Sequence, residues 1–106
     1  MKISNGMMLA AIFAATQGSL VFAQSSGADT YKAKCQSCHG AEGTPNPGIA
    51  KVMGVKPAGD PSVKSLSEAT MIADTTNGKG KMPAFKGKLT DPQIKASVDY
   101  FRSLAK

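Results

Sequence analysis

The sequence predicts a small all-α domain whose own side chains cannot complete its core. Three observations lead there. Apolar residues recur at helical spacing in three segments, each with a recognisable cap. Alternating β-branched runs are missing, and the chain has no Trp. Between the first and second segments lies a stretch so rich in Gly and Pro that a compact domain would hold it only if it wrapped something.

The first residues read as a targeting segment. Lys2 supplies a positive start, Met7 to Ala15 is apolar without a break, and Val21-Phe22-Ala23 offers small residues at the −3 and −1 positions of a cleavage site. The apolar run is too short to span a bilayer, and Thr16, Gln17, Gly18 and Ser19 interrupt it. An uncleaved anchor is the competing reading; no Cys lies near the cleavage site, which argues against a lipoprotein. Residues 1–23 are therefore expected to be a signal peptide. Removing those 23 of 106 residues leaves a domain of 83, residues 24–106, in the periplasm or otherwise exported. Removal takes only Lys2 from 13 basic residues, so the formal charge of +6 becomes +5. A basic exported domain without aromatic platforms is not expected to bind nucleic acid.

The first helix is expected from about Ala28 into Cys35, with Asp29 where the helix dipole favours an anion and Gly40 as its stop. The loop from Gly40 to about Ser62 carries Gly43, Pro45, Pro47, Gly48, Gly54, Pro57, Gly59 and Pro61. The second helix begins near Ser65 or Ser67. Ser65 with Glu68 matches a capping box, and Asn77-Gly78 ends the helix. Thr90 caps the third, Gln93 completes a capping box, and Pro92 sits where its missing N–H costs nothing. Ile94, Val98, Phe101 and Ala105 form its apolar stripe.

Chemistry concentrates in Cys35-Gln36-Ser37-Cys38-His39. C-x-x-C-H is the attachment signature of a c-type haem. Two thiols three positions apart can reach the two vinyl groups of one porphyrin, and the adjacent imidazole then serves as the proximal iron ligand. A thioredoxin-like dithiol would need βαβ surroundings. A zinc site would need four ligands, whereas the chain has two Cys and one His. A domain of 83 residues buries only about 60% of its unfolded surface, so a porphyrin would also supply missing core.

The sixth position falls to one of three methionines beyond residue 23. Met71 lies on the apolar side of the second helix and reads as core; Met53 reads as a loop hydrophobe packing on the porphyrin. Met82 sits in a Gly-flanked loop with Pro83 pinning the backbone after it, which suits a coordinating thioether. Met82 is the expected ligand and Met53 the alternative.

The domain resembles the small class I bacterial cytochromes c over its whole length. The resemblance rests on Cys35-Cys38-His39, on Asn77 through Met82-Pro83 to Phe85, and on the final helix from Leu89-Thr90-Asp91 to Tyr100-Phe101-Arg102. It implies the cytochrome c fold, three main helices and loops wrapped around one covalently attached haem. It also implies that Gly27 and Tyr31 meet the last helix at a crossing, with Ser97 and Tyr100 opposite. A backbone carbonyl near Asn46 or Pro47 would hold the ring N–H of His39.

With His39 and Met82 both bound, the iron would be low-spin with no vacancy, which predicts a monomeric one-electron carrier and not an enzyme. The alternative is a haem-based sensor or peroxidase-like module with a labile sixth ligand. Lys79, Lys81, Lys86 and Lys88 crowd the methionine loop and would steer docking onto acidic partners. The resemblance suggests an oxidase, a reductase or a quinol-oxidising complex as those partners.

Overall fold

A computed structural model describes residues 26–106, so the targeting segment expected at residues 1–23 lies outside the described residues. The described chain is helical: α1 (Gly27–Lys34), α2 (Gln36–His39), α3 (Pro47–Met53), α4 (Pro61–Lys64), α5 (Glu68–Asn77) and α6 (Asp91–Ser103). No strand occurs among these residues, only isolated bridges joining Lys79 to Met82 and Lys86 to Leu89.

Five of the six described helices start on a side-chain cap. Ser26, Asn46, Asp60, Ser67 and Thr90 accept a hydrogen bond from a backbone N–H two or three residues on, at every N-terminus except that of α2. Thr90 and Gln93 form the complete capping box expected for α6. The box expected between Ser65 and Glu68 is not made. Ser65 instead donates to the carbonyl of Ser62, and Ser67 caps α5.

Two expectations are corrected. The first helix is not continuous: Cys35, at φ −117° and ψ −31°, distorts it and serves as C-cap of α1 and N-cap of α2. The long loop holds two helices, α3 and α4. Pro47 and Pro61, read as breakers, occupy the first helical position behind Asn46 and Asp60, where a proline costs no hydrogen bond and its φ suits the helix. Gly54, at φ 72°, ends α3 in the left-handed conformation that side chains resist.

The frame is the crossing of α1 with α6, the most extensive helix pair, backed by α5 against α6. At Gly27 a Cβ would run into the carbonyl oxygen of Ala96, with the carbonyl carbon at 2.8 Å and the Tyr100 Cβ at 3.3 Å. The glycine is therefore needed for helix approach. Of the expected counterparts Tyr100 is in contact, while the closest approach is to the Ala96 backbone and Ser97 is buried. The Tyr31 ring stands 5.2 Å from Tyr100 and 6.2 Å from Phe101, within the range of aromatic pairs.

The apolar core is Met71, Leu89, Ile94 and Val98, with Val63, Leu66, Ile72, Phe85 and Phe101 partly buried around it. Such a cluster is small for the chain it must hold. Much of the apolar surface of α5 and α6 faces a cavity.

Candidate haem-binding cavity

That cavity measures about 680 Å³, within the ordinary range for a cofactor site, and its wall is chiefly apolar. Cys35, Cys38 and His39 line one part of it; Met82 and Pro83 line another. Met53 and Met71 reach it too, so all three methionines considered as ligands touch the same space. Met71 belongs both to the core and to the wall.

Local structure holds the histidine side in place. Tyr31 donates from its hydroxyl to the carbonyl of Gly40 at 2.6 Å, tying α1 to the end of α2. Burial, with Cys35 and Tyr100 nearby, pushes the Tyr31 phenol up to about 12. The His39 ring meets the edge of Phe101 at 5.0 Å. Burial lowers the His39 pKa, which favours the neutral imidazole that a metal ligand must be. Its Nδ1 is buried without a hydrogen-bond partner, so neither Asn46 nor Pro47 supplies the orienting carbonyl. The Asn46 carbonyl instead accepts from the N–H of Ala50.

The two cysteines are free thiols, partly exposed. Burial, followed by the neighbouring Cys38, raises the Cys35 thiol to about 11. Reactive dithiols have lowered pKa values, so this environment argues against thiol-redox chemistry. No cluster of three metal-binding side chains occurs among the described residues, which argues against a zinc site.

The methionine side is built from turns. Lys79 and Met82 exchange backbone hydrogen bonds at 3.1 and 3.0 Å around Gly80 and Lys81, and Gly80 takes φ 59°. The N–H groups of Phe85 and Lys86 donate to the carbonyls of Thr75 and Thr76, each at 3.0 Å, fastening the far end of the loop to α5. At Gly78 (φ 82°) a Cβ would press on the Met82 carbonyl oxygen and the Ala84 nitrogen, each at 3.0 Å. Met82 is thus presented from a segment fixed before and after it.

All four lysines singled out around this loop are exposed, and two of them also have a protein partner. Lys79 lies 3.7 Å from Asp74, and Lys81 donates to the carbonyl of Val52 at 2.8 Å. Lys34 and Lys56 also border the cavity; sequence reasoning passed over both, although Lys34 adjoins the first cysteine. Phe101 and Val98, read as helix stripe, are cavity wall.

The residues suit a haem: a chiefly apolar cavity, two free thiols, and a half-buried imidazole whose burial favours the neutral form. Residues 22–101 match the family model described as cytochrome C oxidase, cbb3-type, subunit III. Cytochrome c6 of Leptolyngbya boryana is 41% identical over 74 residues, covering 70% of this chain and 84% of that protein. Cytochrome c6 of Anabaena variabilis is 38% identical over 74 residues, covering 70% and 83%. Among solved structures, the KustC0563 c-type cytochrome superimposes with a TM-score of 0.70 at 28% identity, covering 77% of this chain and all of that one. The chain therefore belongs to this family of c-type cytochromes as a small class I member: an electron carrier, not an enzyme, with covalently bound haem c.

Proposed function

We propose that the chain shuttles single electrons between redox proteins, with Cys35 and Cys38 as the thioether residues and His39 and Met82 as the axial iron ligands. The observation that carries this reading is the shared cavity: the C-x-x-C-H residues and a rigidly presented methionine line the same space. Haem c, when bound, supplies a site that takes up and releases one electron.

The polypeptide does the rest. Cys35 and Cys38 would hold the porphyrin through thioethers, from the break between α1 and α2 and from α2 itself. The neutral His39 ring offers its other nitrogen, Nε2, as the donor. The Met82 thioether, soft and uncharged, favours the ferrous state and raises the potential. Both donors stand on segments anchored by backbone hydrogen bonds, so little rearrangement accompanies a change of charge. Val98, Phe101 and Leu66 give the cavity an apolar wall, and an apolar surrounding raises the potential in the same direction.

Partners are redox proteins with acidic docking surfaces, met through the exposed Lys86 and Lys88 beside the methionine loop. Such encounters are small and salt-sensitive. The carrier is a monomer of residues 24–106, exported after loss of residues 1–23.

A visible spectrum of the purified holoprotein tests the assignment. A six-coordinate low-spin spectrum with a sulfur–iron charge-transfer band is expected. A high-spin spectrum would overturn methionine ligation and favour a sensor.

A further inference from the structure

Lys81 stands directly before Met82, and although the residue is exposed its ammonium has a protein partner. It donates to the carbonyl of Val52, 29 residues earlier, at 2.8 Å. That carbonyl belongs to the last turn of α3, where the final C=O groups have no partner within the helix. A cation there satisfies one of them and also meets the negative end of the helix dipole. The contact joins two walls of one cavity: Met53, Gly54 and Val55 follow Val52, while Lys79, Gly80 and Met82 flank Lys81. Helix α3 has no extensive packing against another described helix. Its Val52 side chain is 64% exposed, the one large apolar side chain so open among the described residues.

We infer that Lys81 is a positioning residue. Its bond to the Val52 carbonyl clamps the methionine turn to the end of α3 and keeps the Met82 sulfur from swinging out of the cavity. The lysine acts through Met82. This inference rests on Met82 as the sixth ligand, and it removes Lys81 from the set of lysines free to dock.

The test uses ferric holoprotein and imidazole, a small ligand that competes for the sixth position. Lys81→Met keeps the length and apolar stem but removes the donor; Lys81→Arg keeps a donor and the charge. Lys81→Met should bind imidazole about five-fold more tightly than wild type, the factor matching one ordinary hydrogen bond. Its sulfur–iron charge-transfer band should be lost at lower temperature than in wild type. Lys81→Arg should restore both values, and Lys88→Met should change neither. Met82→Ala separates the two layers of the argument. If Met82→Ala does not raise imidazole affinity, the ligand assignment falls. If it does, while Lys81→Met binds imidazole like wild type, the clamp is refuted and the ligand stands. Equal effects from Lys81→Met and Lys88→Met would also refute it, because loss of charge alone would then be the cause.

Discussion

Gly27→Ala puts one methyl group into the tightest helix contact of the fold. Two effects compete. Ala favours a helix over Gly by up to about 1 kcal/mol in a helix interior, and by less at the first helical position where Gly27 sits. Against this, the new Cβ would overlap the Ala96 carbonyl oxygen and stand 2.8 Å from its carbon, both backbone atoms of a helix that cannot yield locally. Overpacking of that kind costs about 1–3 kcal/mol, so steric displacement wins by roughly 1–2 kcal/mol. In a domain of this size that lowers Tm by roughly 5–15 °C. Thermal melting of the holoprotein, followed by far-ultraviolet circular dichroism, reads the shift. Gly48→Ala in α3 is the control. Its Cβ would meet only the Asn46 side-chain oxygen, at 3.4 Å, so propensity should prevail and Tm should hold or rise. A Gly27→Ala protein that melts at or above the wild-type temperature would refute the close crossing.

Met82→Ala should leave haem attached but open the sixth position, with ready carbon monoxide binding in the ferrous form and a lower potential; the same behaviour from Met53→Ala, and not from Met82→Ala, would transfer the ligand role to Met53. Replacing Cys35 and Cys38 together with Ser should give a haem-free chain without a cooperative melt by circular dichroism, since the apolar core is too small to offset chain entropy. Tyr31 gives a pH dependence with a definite sign: its folded pKa of about 12 exceeds the ordinary 10.0, so its contribution is complete below pH 10 and is lost as pH rises from 10 towards 12. Denaturant melts across that range should show the loss in wild type and a smaller one in Tyr31→Phe. Charge reversal at Lys86 and Lys88 should slow association with an acidic redox partner in stopped flow more than reversal at Lys95 and Lys106; equal slowing would leave net charge, not a local patch, as the cause.

The parts of the fold legible in sequence were those written in neighbouring residues. Thr90, Pro92 and Gln93 specify the start of α6 within four positions, and the structure has that start. The same locality misled at Pro47 and Pro61. Proline stops a helix from within but opens one behind Asn or Asp, and composition alone favoured the first reading. Cys35, Cys38 and His39 were legible as a motif, and the structure brings Met82 to the cavity they line. The Lys81–Val52 bond was not legible, because it joins a side chain to a distant backbone carbonyl. Residue identity records nothing about which carbonyl lies opposite. For the same reason Ser97 and Tyr100 were expected opposite Gly27 and Tyr31, and Tyr100 is there, but the closest approach to Gly27 is the Ala96 backbone.

The α1–α6 crossing also sets a timetable for assembly. A chain is synthesised from its N-terminus, so the cysteines emerge early, whereas the helix that packs behind them is the last one made. No earlier helix can take its place, since α1 packs extensively only on α6 and on its own continuation α2. Pairing across such a sequence separation is slow, because the intervening loop must close before any contact rewards it. The thiols of Cys35 and Cys38 are therefore made well before the helix that completes the fold around them.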